Sequence, residues 1–415
     1  MAKAPFVGVK EYDNTADGLA AMIADGFTVG SAAYVIAQTF AAQNPSCATL
    51  KVAARAVQNA QAYTVTPEVL TAAEPYTLTI VGTDGKAHDY SFTSDSSPTA
   101  PEIVVGILAD ITADPATGVT ATPVGELGAE THFTLTPTVA GSRFYLRSVH
   151  RNLAVKDTSA DAGIATDLAT AIAIDSDFYG VVIDSTSEPE INAAAVWCEA
   201  NKRMFLPTSL DSDIFGSGST DVASDCKAAG YNYTGVWAGR DGYMREGDGI
   251  LARQFALDPG ASVFHAQGLS SVIVDDLNPT EIGNAQDKNA NIYVPMSGIS
   301  LTLGGMAASG RFLDITRDTD WLSATMQADV LTVIRNAEKV WYTELGISMI
   351  ENAMRSRLKI AQDLGMLAAG WTVTPPVLST IPQADKAARI LRNFRFAATL
   401  AGAIQGVEIR GTLTV

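Results

Sequence analysis

From Asp161 to Trp237 helical and strand-like stretches alternate along the chain. Helices are predicted over Asp161–Ala173, Glu188–Ala200 and Asp221–Ala229, and strands over Phe178–Ile183, Arg203–Pro207 and Tyr233–Trp237. Strands separated by helices cannot pair as tight hairpins, so this order predicts a mostly parallel sheet covered on both faces, with right-handed crossovers. Residues 13–45 read as the first part of the same α/β unit. One helix covers Ala16–Ala24 and closes at Gly26; a second starts after Ser31, a plausible N-cap, and ends at Asn44-Pro45. A short strand, Ala48–Ala54, follows.

From about Thr64 to Val149 the chain turns rich in Thr, Val and turn residues. The stretch YTLTIVGTDGKAHDYSFTS reads as a hairpin with Asp84-Gly85 in its turn, and one helix, Pro101–Ile111, precedes the strand candidates VTATPVG, THFTLTP and RFYLRSV. This composition predicts a β-rich domain inserted into a surface loop of the α/β domain. The expected division is 1–63 and 151–318 for the α/β domain, 64–150 for the insertion, and 319–415 for a helical C-terminal domain. Residues 239–318, rich in Gly, Asp and Asn, read as a loop-rich layer with strands only at Asn291–Pro295 and Ile299–Leu303.

The C-terminal part opens with helices over Trp321–Asn336 and Glu344–Leu364. In the second, Ile347, Ile350, Met354, Leu358 and Ala361 recur at three- and four-residue steps, leaving Arg355 and Lys359 off that line. A strand near Trp371–Val373, a Pro375-Pro376 break and a helix or turn near Asp385–Ile390 lead to Phe394–Val415. There Val407, Ile409, Gly411, Leu413 and Val415 alternate with Glu408, Arg410, Thr412 and Thr414, a strand pattern expected to form a hairpin with Phe394–Leu400. No covering element follows it, so this strand pairs either within its own chain or with another molecule.

With 47% hydrophobic and 18% charged residues in 415, the chain is a folded, multi-domain protein. Its net charge of −17 argues against nonspecific binding to nucleic acid or anionic membrane. The charge is uneven. Residues from Leu331 onward carry ten Lys and Arg against six Asp and Glu, a balance of +4 that leaves −21 on residues 1–330. No signal peptide and no run of about 18 apolar residues is visible, so synthesis in a cytoplasm without a membrane span is expected.

No motif carries a reaction. GxxxxGK[ST], HExxH, CxxC and GxSxG are absent, and Gly216-Ser217-Gly218-Ser219 lacks the lysine of a phosphate loop. Cys47, Cys198 and Cys226 are far apart and read as buried small hydrophobes. His88, His132, His150 and His265 do not pair at ligand spacing, and Asp211, Asp213, Asp275 and Asp276 lack the rest of a calcium loop. No catalytic residue, cofactor or metal is predicted.

Three stretches, taken in order, resemble bacteriophage contractile-tail sheath proteins of the myovirus type: KEYDNTADGLAAMIADGFTVGSAAYVIAQTFAAQNPSCATLKVAAR (Lys10–Arg55), DFYGVVIDSTSEPEINAAAVWCEANKRMFL (Asp177–Leu206) and the ending RFAATLAGAIQGVEIRGTLTV. The β-rich insertion between the first two belongs to the same match, which covers nearly the whole chain. The resemblance implies a non-enzymatic virion protein, assembled in the bacterial host cytoplasm, that stacks as hexameric rings around a tail tube. It implies contraction, serving genome ejection, and contacts with itself, the tube protein, the baseplate and the tail terminator. It also implies inter-subunit strand exchange, for which Val407, Glu408, Ile409, Arg410, Leu413 and Val415 are the candidates. The C-terminal part of such proteins lies nearest the tube, which makes Arg335, Lys339, Arg355, Arg357 and Lys359 candidates for facing it. Sheaths of this type carry an extended N-terminal arm, whereas only a short run precedes the first helix here; Phe6, Val7 and Val9 are candidates for a minimal arm. Two other readings stay open: another self-assembling virion or surface-layer protein, and an α/β enzyme with its site near Asp184, Ser185 and Thr208.

Overall fold

The computed structural model describes residues 2–405. They form two compact units, one of residues up to 256 together with 264–313, the other of residues 257–263 together with 314 onward. The fold is a multi-domain mixture of α and β structure.

In the first unit, β1 (Val9–Asp13) pairs antiparallel with β2 (Thr49–Ala53), and helices α1 (Ala16–Ala24) and α2 (Ala32–Ala41) lie between them in sequence. The Thr15 hydroxyl accepts from the Gly18 amide and so caps α1. Gly18 is required there, since a Cβ would lie 1.7 Å from the Asp13 carbonyl oxygen. Seven of the ten residues of α2 are buried, which suits its nearly uninterrupted apolar sequence.

The β-rich part comprises β3 (Tyr63–Pro67), β4 (Pro75–Val81), β5 (Ala87–Thr93), helix α3 (Ala100–Ala113), β6 (Val119–Val124), β7 (His132–Pro137), β8 (Tyr145–Val149) and β9 (Leu153–Asp157). Its sheets are antiparallel, in the orders β6-β7-β3-β9 and β5-β4-β8. The alternation of β4 buries Tyr76, Leu78 and Ile80, which pack with Val65, Phe133 and the α3 residues Ile103 and Ile107. The predicted hairpin is β4–β5; its turn has Gly85 at φ +77° and the Asp84 carboxylate accepting from the Lys86 amide. Strands β3 and β9, which no sequence pattern marked, pair with each other over five residues.

Helix α4 (Ile164–Ile174), β10 (Gly180–Val181), α5 (Glu188–Asn201), β11 (Met204–Phe205), β12 (Thr208–Ser209), α6 (Val222–Ala229), β13 (Trp237–Ala238), α7 (Glu246–Gln254), α8 (Pro279–Asp287), β14 (Ile292–Met296) and β15 (Ile299–Leu303) complete the unit. Parallel pairings here are only two residues long: β10 with β11, and β13 with β12, which lies just past the predicted strand Arg203–Pro207; single parallel bridges join Phe205 to Thr234 and Trp237 to Asn291. The central residues are buried on both faces, with Val181, Ile183, Phe205 and Val236 in one apolar cluster and Met204, Leu206 and Trp237 in another. The region read as loop-rich contains two helices. One of them, α8, is fixed by a capping box in which Asn278 and Glu281 bond each other's backbone.

In the second unit, α9 (Leu313–Asn336) packs with α10 (Glu344–Asp363), followed by β16 (Thr372–Thr374), α11 (Gln383–Ala388) and β17 (Arg395–Ala397). The predicted stripe of α10 is the buried one, and Ile350, Met354, Leu358 and Ala361 meet Leu322 and Met326 of α9. Residues 257–263 join this unit through the Gly260 amide, which donates to Asp318 at 2.7 Å, and through Arg317, which donates to the Leu257 carbonyl at 2.6 Å.

Candidate assembly surfaces

The polar interior is structural in its connections. Arg55, fully buried, donates to Asp184 at 2.9 Å and Glu190 at 3.1 Å, with Asp167 at 3.4 Å. This single guanidinium ties the end of β2 to α4, α5 and the segment after β10. Asp184 and Ser185, named in the enzyme reading, belong to this cluster, where Asn59 donates to Ser185 and Glu190. Thr208 instead accepts from the Gly247 amide at 2.9 Å. Burial raises the Cys226 thiol to about 12, and Cys198 is buried as well, so both pack as apolar groups. Among the described residues no group of three or more His, Cys, Asp or Glu is placed to hold a metal ion.

The five basic candidates for tube contact do not share one environment. Arg357 holds Asp329 of α9 through two bonds, at 2.7 and 2.9 Å, and its guanidinium lies over the Trp321 ring. Arg355 donates to Glu351 at 2.7 Å and to the Val373 carbonyl, and Lys359 pairs with Asp363. Lys339 sits over the Trp341 ring at 4.6 Å, while Arg335 donates to Asn336. The same two helices and their connection carry exposed apolar side chains that periodicity alone did not single out: Leu331, Ile334, Trp341, Leu345 and Met349. Leu345 and Met349 lie four residues apart on α10, off the stronger buried stripe, and Trp341 lies just ahead of the helix.

Strand β17 pairs antiparallel with β16, and all three of its residues are exposed. Beyond it the chain continues alongside residues 366–368, with Ala368 donating to Thr399 and Ala401 to Met366. The proposed exchange residues Val407, Glu408, Ile409, Arg410, Leu413 and Val415 lie outside the described residues, as does the second strand of the expected terminal hairpin. At the other end, Phe6 packs edge-on against Phe27 at 5.9 Å and Val9 pairs with Ala53, while Val7 is fully exposed.

A cleft of about 240 Å³ opens between β2 and residues 177–182. It is lined by Ile36, Phe40, Leu251 and Phe255 among others, and Glu11, Asp175 and Asp177 surround Lys51 at its rim.

The architecture places the chain among multi-domain α/β proteins with a β-rich insertion. No family model matches the sequence, and no curated protein does. Among solved structures the chain is similar to the sheath tail protein Lin1278 from Listeria innocua, with 12% identity and a TM-score of 0.47 over 90% of this chain and 87% of that one. It is also similar to a chain in the 6-fold symmetrised cryo-EM structure of the anti-feeding prophage baseplate, with 12% identity and a TM-score of 0.46 over 61% of this chain and 73% of that one. Both are distant likenesses of fold.

Proposed function

We propose that this protein is a structural subunit of a contractile phage tail sheath. It polymerises as stacked hexameric rings around a tail tube and contracts to drive the tube through the host envelope. The observation that carries the reading is the β16–β17 sheet. β17 is short and exposed, and it stands just ahead of the alternating segment Val407–Val415. A strand of that pattern, added to a sheet edge of a neighbouring subunit, contributes several backbone hydrogen bonds of about 0.5–1.5 kcal/mol net each. Such head-to-tail links do not close on themselves and therefore propagate as a helical array. They also hold subunits together while rigid bodies rotate, as contraction requires.

Assembly in the host cytoplasm, a place in the virion tail, and contacts with tube, baseplate and terminator proteins complete the proposal. The basic helices and the exposed apolar side chains of the C-terminal unit are the surfaces offered to the tube. Deleting Val407–Val415 tests the reading. Negative-stain microscopy of the intact protein should show striated tubes of constant diameter, and the truncated protein should remain folded by circular dichroism without forming them. Small monodisperse particles from the intact chain at high concentration would overturn the proposal, and so would unimpaired tubes from the truncated one.

A further inference from the structure

The cleft beside β2 has a composite character. Its lining is apolar, while its rim is acidic: Lys51 lies 2.8 Å from Asp175, 3.6 Å from Asp177 and 3.9 Å from Glu11. Lys51 thus faces three carboxylates, and a fourth, Asp13, sits on β1 in register with Thr49 of the cleft wall. A further cation at this end, Arg203, is held over the Phe178 ring and donates to the Ser176 carbonyl, so the rim stays net negative. An occupant suited to this site presents an apolar side chain flanked by positive charge.

The stretch Arg389–Phe396 has that character. Leu391 and Phe394 pack into the core of their own unit, whereas Arg389, Ile390, Arg392, Arg395 and Phe396 are exposed. Ile390 is 42% and Phe396 45% accessible, far more than large apolar residues in a core. Residues 389–396 hold three Arg and no Asp or Glu, so positive charge predominates along the stretch, with Arg392 paired to Asp385 just ahead of it at 3.3 Å. Its inward-facing residues anchor it, so little ordering is needed for its outward residues to bind.

We propose that the cleft between β2 and residues 177–182 receives the Arg389–Phe396 stretch of a second copy of this chain. Phe396 or Ile390 enters the apolar lining, and Arg392 and Arg395 meet Asp175, Asp177 and Glu11. The inference deepens the assembly reading and rests on it. Donor and acceptor are different surfaces, so the contact is head-to-tail and repeats along an array. It adds a side-chain joint to the proposed backbone strand exchange.

Crosslinking between two full-length variants tests it. In a Cys47→Ser background, chains carrying Thr49→Cys, in the cleft wall, are mixed with chains carrying Ala397→Cys, beside Phe396, and treated with a short bismaleimide, which leaves every charge of the contact in place. The control pairs Thr49→Cys with Leu127→Cys, at a residue 99% exposed in the β6–β7 connection. Thr49 and Ala397 are exposed as well, and matching thermal melts verify that each variant folds. The expected result is a covalent dimer several-fold above the control, falling as salt screens the rim charges. A yield equal to the control overturns the docking. Microscopy of the unmodified chain scores the sheath reading separately: tubes with control-level crosslinking remove the cleft contact alone, and crosslinked dimers without tubes retain the contact and remove the sheath.

Discussion

Glu246 is fully buried, and neither of its carboxylate oxygens has a hydrogen-bond partner among the described residues. Its carboxylate lies so close to Gly239 that a Cβ there would be 2.2 Å from Oε1. Burial raises its pKa well above the ordinary value, and the charge of Asp275 adds to the effect. Burial likewise lifts Asp275 and Asp241 to about 7, although Asp275 accepts from the Arg240 amide and Asp241 from the Tyr243 and Met244 amides. Other charges bearing on the group are Arg147 toward Asp241, Arg240 toward Asp275, and Asp248 toward Glu246, the last itself paired with Arg245. Carboxyls raised on folding stabilise fully below their unfolded values near 4, and that stabilisation is lost as pH climbs through the folded values near 7. The melting temperature should therefore fall between pH 5 and pH 8. Glu246→Gln, which removes one ionisation, should flatten that fall and stabilise the protein at pH 8 by on the order of 1–3 kcal/mol. An unchanged pH profile in calorimetry would refute this. Arg55 gives the opposite case: Arg55→Leu strands Glu190 without its cation and leaves Asp184 with the more distant Arg143, at 3.9 Å, and should cost about 3–5 kcal/mol in urea unfolding at pH 7. Neither residue was legible in the sequence: Arg55 takes its character from partners 129 and 135 positions away, and Glu246 from its burial, not from local spacing.

Elements whose signals are local were the ones that could be read. α1 spans Ala16–Ala24 ahead of Gly26 as the sequence predicts, and the α10 stripe emerges because 3.6-residue periodicity is written in consecutive residues. Strands β3 and β9 were missed because each is five residues long and gains its identity from a partner about ninety residues distant, as the pairing of Val65 with Val155 shows. Helices α7 and α8 were missed for another reason: Gly247, Gly249 and Gly283 lower their propensity, and tertiary burial of α7 and the capping box of α8 override it. The alternation of Val407–Val415 is a pattern in the sequence that lies outside the described residues, and no sequence pattern names a partner for it, since an edge is recognised only against another edge. The basic line on α10 likewise gave no hint of its carboxylate partners. Their geometry predicts a contrast. Arg357→Ala, which loses two bonds to Asp329 and the contact with Trp321, should destabilise the C-terminal unit by about 1 kcal/mol. Lys359→Ala, at an exposed i,i+4 pair, should be close to neutral. Paired chemical-denaturation curves would check it, and equal effects would mean that the α9–α10 bridge is not a structural contact.

At the scale of the molecule, the division into two units has a thermodynamic consequence. The second unit has its own apolar cluster, in which Leu358 and Ala361 are completely buried between α9, α10 and β16. The first unit is built on several other clusters, one of them the Phe133, Leu78 and Ile107 core of the β-rich part. Units with separate cores can unfold in separate cooperative steps, so one two-state transition is not the expectation for this chain. Calorimetry on the dispersed protein should resolve at least two transitions. Leu358→Ala removes a fully buried side chain from the second cluster and should cost about 2–5 kcal/mol, lowering one transition and leaving the others in place. Phe133→Ala, at about 3–5 kcal/mol, should lower a different one. If both substitutions shift the same single transition, the two cores melt as one cooperative body. That outcome would also bear on contraction as proposed above, because a sheath subunit that changes lattice by rigid-body rotation needs parts that keep their internal packing while the joints between them give way.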